Sequence, residues 1–165
     1  MKRIVAAAAF AATALVGLAA EAATLNFPSD DPVAAITIPD DWGPKETESG
    51  IDATSADEAV YLAIDVADAE NVEEVVTDAI TYLGGAGVTV DTATQKEGTA
   101  EFNGLKASTI EWEGTDKDGP VTIGLAFTSP KEGKLLVLTY WGSKGDQDAH
   151  GAEIAAILGS IKPAQ

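Results

Sequence analysis

The chain of 165 residues has no cysteine, a single histidine (His150) and a single arginine (Arg3). Without cysteine there is no disulfide framework, no thiol nucleophile, no thiolate zinc site and no residue for a lipidated leader. With one histidine, any Ser–His pair must run through His150, and no Gly-x-Ser-x-Gly elbow is present to supply the serine. Lacking arginine beyond residue 3, the chain cannot form the bidentate clamp that reads phosphate or carboxylate. Positive charge is scarce altogether: 10 Lys and Arg stand against 27 Asp and Glu, a net charge of −17. Such a polyanion repels phosphate backbones and anionic lipid surfaces, which argues against nucleic-acid binding. The same charge serves solubility and attracts cations or a basic partner. Asn-x-Ser/Thr sequons are also missing, so nothing points to a glycosylated route.

What is present begins with a leader. Met1-Lys2-Arg3 is a positive start, Ile4–Ala20 an uncharged Ala-rich run, and Ala20-Glu21-Ala22 offers small residues where a signal peptidase reads them. The run falls short of the roughly 20 apolar residues of a membrane span. Residues 1–22 therefore read as a removable signal peptide, cut after Ala22 or Ala23. Residues 23–165 read as one domain in the periplasm or culture medium, with no membrane insertion after cleavage. Loss of Lys2, Arg3 and Glu21 leaves that domain more acidic still.

Period-two alternation marks strands. Val60, Leu62, Ile64 and Val66 share one side of Ala59–Ala67, with Tyr61, Ala63 and Asp65 on the other. Val33–Ile38, Ile51–Ser55, Val88–Lys96, Thr99–Phe102, Leu105–Glu113 and Val121–Phe127 are further strands, and Thr24–Pro32 reads as an extended lead-in. Leu135–Trp141 is apolar on both faces, the mark of a central strand. Asn103-Gly104 is a strong hairpin signal. Val72, Val75, Val76, Ala79, Ile80 and Leu83 form a helical stripe, with Asn71 and Glu74 as an N-cap pair and Gly84-Gly85 as the stop. That glycine run lacks the Lys-Ser/Thr of a phosphate loop and follows a helix instead of preceding one. Ile154, Ile157, Leu158 and Ile161 stripe a second helix that Pro163 ends. Short hairpins imply an antiparallel sheet, and two striped helices must bury against it. The fold class expected is α+β: an antiparallel sheet of about six or seven strands sandwiched by two main helices.

Three segments carry a resemblance. Ile36-Thr37-Ile38-Pro39-Asp40-Asp41-Trp42, Asn103-Gly104 before a strand ending Glu111-Trp112-Glu113, and the closing Ile154 to Pro163 resemble the small PsbP-like and DcrB-like domains. The likeness spans Val33 to Pro163 and rests on structural motifs. It implies an α/β/α sandwich, the fold of a photosystem II extrinsic subunit, a Ran-binding nuclear import factor and bacterial periplasmic proteins. It also implies a binding or accessory role with a protein partner in the cell envelope. No functional motif of those members matches this chain, so none of their activities transfers.

Candidate chemistry is sparse. Asp146, Asp148 and His150 alternate with other residues in Gly145–Gly151, like the first half of a Ca²⁺ loop, but Ile157 stands where the closing acid belongs. For Zn²⁺ the three would be donors only if their side chains converged, and a helix beginning there turns them apart. In that case the two acids simply favour the helix start. Asp30-Asp31, Asp40-Asp41, Glu73-Glu74 and Asp116 with Asp118 read as solvated turns or helix faces. Trp42, Trp112, Trp141, Tyr61 and Tyr140 read as core or pocket lining. The functional expectation is an exported, non-enzymatic binding or accessory protein without cofactor. The alternatives are a divalent-cation-responsive protein or an acid-dependent envelope hydrolase.

Overall fold

The computed structural model describes residues 22–164. The signal-peptide reading for residues 1–22 lies outside the described residues except for Ala22. The order is β1 (Ala22–Phe27), β2 (Ala34–Pro39), β3 (Lys45–Glu46), β4 (Gly50–Thr54), β5 (Val60–Ala67), α1 (Val72–Gly85), β6 (Thr89–Phe102), β7 (Leu105–Thr115), β8 (Pro120–Lys131), β9 (Lys134–Ser143), α2 (Gly151–Gly159) and β10 (Lys162–Pro163), with 3-10 turns at Asp40–Trp42 and Asp146–His150. Mixed α and β structure, a large antiparallel sheet and two helices agree with the sequence expectation. No helix among the described residues is long and apolar enough to cross a membrane.

The expectation of one sheet is corrected to two. Seven strands form the order β3-β4-β5-β9-β8-β7-β6, and three form a separate sheet, β1-β2-β10. Thr24–Pro32 is thus no mere lead-in: Ala22–Phe27 pairs antiparallel with β2 along its whole length. The reason is visible in β2, where Ala34, Ile36 and Ile38 are buried and pack into the large sheet face-on. A strand lying flat over another sheet leaves its own edges open, and β1 and β10 satisfy them.

β5 and β9 are the spine, paired from Val60↔Gly142 to Ala67↔Leu135. On one face Val60, Leu62, Ile64, Leu136 and Leu138 join Ile36 and Ile38 of β2 with Ile157 beneath α2. That face is closed by the small sheet and α2 together. The opposite face carries α1, where Leu83 and Val88 pack on Val121 and Ile123. The stripe expected on α1 is corrected at Ile80, which is 52% exposed. Only Ala79 and Leu83 of the helix are fully buried, so the contact face is turned toward Asn71, Val75 and Ala79.

Local signals behave as physics requires. Asn103 and Gly104 take φ of 50° and 82° between Phe102 and Leu105, the paired left-handed conformations of a two-residue hairpin. Val88–Lys96 and Thr99–Phe102 merge into one strand with an irregularity between Asp91 and Lys96. Asn71 starts α1 without a side-chain cap bond, its Oδ1 instead accepting from the Asp68 N–H at 2.8 Å.

At Gly50, where β4 enters against β5, a Cβ would stand 1.9 Å from the Ile64 carbonyl oxygen, and at Gly84 a Cβ meets nothing within 4 Å. Gly50→Ala is expected to destabilise by about 1–3 kcal/mol through backbone displacement. Gly84→Ala is expected to stabilise by about 0.4–1 kcal/mol by stiffening the unfolded chain. Urea melts of the two variants against the parent check both signs.

Candidate functional site

Between α1 and the α1-facing side of the large sheet lies a cleft of about 660 Å³. Its roof is one helical stripe, Asn71, Glu74, Val75, Asp78, Ala79 and Tyr82, the i, i+3, i+4 spacing of one face. The floor is set by strand register. Asp52 on β4 stands opposite Ala63 on β5, and Ala63 stands opposite Thr139 on β9. Asp65 and Tyr61 flank Ala63 two residues away on the same face of β5. The β3–β4 turn closes one end, where Thr47 Oγ1 accepts from the Gly50 N–H at 3.0 Å and the Ser49 carbonyl accepts from the Val66 N–H at 2.8 Å.

Electrostatics in the cleft are one-sided. Among the described residues five carboxylates line it (Glu48, Asp52, Asp65, Glu74 and Asp78), and no lysine does. Lys45 sits opposite Asp52 across the β3–β4 pair but outside the lining. Lys134 is engaged 3.5 Å from Asp68. Burial raises the pKa of Asp65, and the Asp52 and Asp78 charges raise it further, against a 2.6 Å hydrogen bond donated by Ser49 Oγ that lowers it. Tyr61 is raised for the same first reason, burial, and then by Tyr82 and the charges of Asp52 and Asp65. Its ring stacks at 4.5 Å on Trp141 and at 5.2 Å on Tyr82.

Thr139 is the one anomaly on the floor. It is 1% exposed, and its Oγ1 is buried without a hydrogen-bond partner, the only such side-chain atom among the described residues. A buried polar group in that condition costs about 1–3 kcal/mol.

The residues singled out from sequence lie elsewhere. Asp146 and Asp148 are exposed on the 3-10 turn that precedes α2. Gln147 between them reaches the sheet, donating to Thr122 Oγ1 at 3.2 Å and accepting from the Tyr140 hydroxyl. His150 does not turn toward the two acids. Its Nδ1 lies 2.8 Å from Glu153 Oε2 and its Nε2 lies 3.0 Å from Asp57 Oδ2. Trp42 Nε1 donates to the same Glu153 oxygen at 3.2 Å. No group of three or more His, Asp and Glu is placed to hold a metal ion among the described residues. Of the aromatic set, Tyr61 lines the cleft and Trp141 stacks on it, whereas Trp42 is buried in the core on the other face.

Asp52, Asp65 and Asp78 escape a reading by adjacent pairs, because each is isolated in the chain. One signal was available: Asp65 is a charge on the second face of a strand otherwise apolar on both, and Glu74 and Asp78 sit four apart on the next helix.

Neither a family model nor a curated protein sequence matches the chain. Solved structures do match. Cyanobacterial PsbP (CyanoP) from Synechocystis sp. PCC 6803 aligns with a TM-score of 0.58 at 11% identity, over 93% of this chain and 98% of that one. LpqN from Mycobacterium tuberculosis aligns with 0.50 at 13% identity, over 88% and 91%. A Bacteroides thetaiotaomicron VPI-5482 protein aligns with 0.53 at 10% identity, over 80% of this chain but 45% of its own length. The fold is PsbP-like, and at these identities the likeness concerns the fold alone.

The His150 junction carries a pH signature. Hydrogen bonds to Glu153 and then to Asp57 raise the His150 pKa above its ordinary 6.5, and the bond from His150 is the largest effect lowering Asp57. A raised histidine stabilises fully below its unfolded pKa, and that stability disappears as pH climbs through the folded value. Asp57, depressed, contributes above its unfolded pKa and loses the contribution as pH falls toward the folded one. His150→Gln is therefore expected to lower Tm by about 2–4 °C near pH 5.5–6, with the gap narrowing toward pH 9. Calorimetric scans across that range check it, and a pH-independent gap contradicts the ion-pair account.

Proposed function

We propose that this chain is an exported, non-enzymatic binding or accessory protein of the cell envelope, and that the acidic cleft is its binding surface. One observation carries the reading: Asp65 is held half-buried beside Asp52 and Asp78 with no cation among the described residues that line the cavity. Stability alone does not ask for three like charges around one cleft, since each raises the cost of ionising the next. A cationic group entering the cleft removes that cost, so the arrangement favours a positively charged ligand or side chain. Export rests on the leader pattern at residues 1–22. The envelope setting is supported by the PsbP-like neighbour LpqN, which is described as involved in cell envelope biogenesis. The absence of cysteine and the solitary histidine, occupied by Asp57 and Glu153, support a role without covalent catalysis.

A second reading draws on the same residue. A carboxyl with a raised pKa suits a general acid, and Glu74 and Asp78 are the carboxylates on the facing helix. A glycosidase needs its two carboxyls roughly 5–10 Å apart across the substrate. Turnover of envelope polysaccharide that Asp65→Asn abolishes would select this reading over binding.

The full chain, expressed with a C-terminal tag in a bacterial host, is expected in the periplasmic fraction with its mature N-terminus at Ala23 or Thr24. Native mass spectrometry of that material is expected to show a bound species absent from the Asp65→Asn, Asp78→Asn double variant. Retention of the leader in a cytoplasmic product overturns the export reading. An identical bound species on both proteins removes the cleft from the binding role.

A further inference from the structure

We propose that the cleft takes a linear aliphatic polyamine, with separate carboxylates meeting successive ammonium groups and the apolar floor meeting the methylenes between them. This deepens the reading of the cleft as a binding surface and rests on it.

The distribution of charge chooses among cations. A metal ion needs several donors converging on one point. Here no three acidic or histidine side chains converge among the described residues. The acids are instead spaced out. Asp65 lies two residues along β5 from Ala63, which faces Asp52 across the β4–β5 pair. That makes Asp52 and Asp65 diagonal cross-strand neighbours, about 7–8 Å apart along the sheet. Glu74 and Asp78 are one helical turn apart on the roof, about 6 Å. Intervals of this size are spanned by ammonium groups four or five methylenes apart on an extended chain and do not match a single compact charge.

Surfaces between the acids suit a hydrocarbon chain. Ala63 on the floor and Val75 and Ala79 on the roof are apolar and wholly or partly buried. Tyr82 stacks on Tyr61 yet stays 49% exposed, leaving ring surface for an ammonium group. The volume, about 660 Å³, lies within the range of small-ligand pockets.

Thr139 supplies the independent sign of a ligand. It is a lining residue of the cleft on the same sheet face as Ala63 and Asp52 and is 1% exposed, and among the described residues its buried Oγ1 has no hydrogen-bond partner. An amine N–H laid along the Asp52–Ala63–Thr139 row would satisfy that oxygen. Placed on the floor of an acidic cavity, an unsatisfied acceptor is a contact for a cationic donor.

Titration calorimetry of the purified mature protein with spermidine at about 0.15 M salt is the test, with hexaamminecobalt(III) as a compact cation of equal charge and ethylamine as a single ammonium. Saturable binding is expected for spermidine, at least about tenfold tighter than for hexaamminecobalt. Asp65→Asn and Asp78→Asn are each expected to weaken it about tenfold, and Glu73→Gln, an equal charge change on the exposed side of α1, less than twofold. Thr139→Val, which removes the orphan hydroxyl while keeping the side-chain shape, is expected to leave Tm unchanged or higher and to weaken spermidine about fivefold. Equal affinity for the two trivalent cations, or equal effects of Asp78→Asn and Glu73→Gln, reduces the binding to diffuse screening and overturns the proposal. Full affinity in Thr139→Val also overturns it, because the hydroxyl then serves only an ordered water. If spermidine fails while the Asp65, Asp78 double variant still loses the species bound to the native protein, the polyamine assignment falls and the cleft keeps its binding role.

Discussion

Everything on the α1 side of this molecule follows from one constraint: β5 is an interior strand with a carboxylate on a face that must also be covered. Its neighbours β4 and β9 occupy both edges, so Asp65 cannot escape by lying at the sheet margin. On the other face Val60, Leu62 and Ile64 demand complete burial and receive it from the small sheet and α2. The two faces of one strand thus place opposite requirements on what packs above them. An apolar helix seated flush on Asp65 would leave a charge in a dry environment, at a cost of several kcal/mol. α1 meets the requirement by sealing only at one end. Leu83 and Val88 close over Val121 and Ile123, while Glu74, Asp78 and Asn71 line the Asp65 end, which stays an open cleft.

That division explains why the amphipathic reading of α1 failed at Ile80. A stripe drawn from apolar residues alone assumes the helix turns its most hydrophobic side inward. Here the inward side is a compromise between Ala79 and Leu83, which need cover, and the acids beside them, which need water. Ile80 is left 52% exposed as a result. The moment of a helix records what the sequence offers. Which side is accepted depends on the surface it meets, and that surface contained a carboxylate.

The strands were far more legible. Alternation in β5 and β8, the Asn103-Gly104 turn and the doubly apolar Leu135–Trp141 segment of β9 all gave their elements directly, because period and turn chemistry are local. Division into two sheets was not local. Ala34, Ile36 and Ile38 read as a half-buried strand whether they pair within the large sheet or lie across it, and only the partners Ala22–Phe27 and Lys162–Pro163, at opposite ends of the chain, decide. The site was the least legible part. Asp52, Asp65 and Asp78 come from three elements and meet only through the β4–β5 register and the seating of α1. The pattern Asp146, Asp148, His150 looked like chemistry in the chain, yet folding gave His150 to Asp57 and Glu153 as a tie between the β4–β5 turn and the start of α2.

A PsbP-like fold shared at 10–13% identity shows how little of this architecture depends on particular residues. What it needs is a pair of sheets, two covers and the alternation that fills the space between them. Function has to be sought where a chain departs from those needs. The face closed by β2 and α2 offers no such departure, since its large side chains are buried and mutually packed. On the α1 face the departures collect within one cleft: a half-buried carboxylate in an interior strand, like charges left unneutralised around it, a tyrosine stacked yet open, and a hydroxyl with no partner. Each is a local cost to the folded state, and a protein selected for packing alone would have removed them one at a time. Their coincidence in a single cavity is what separates a binding site from a set of unrelated packing defects.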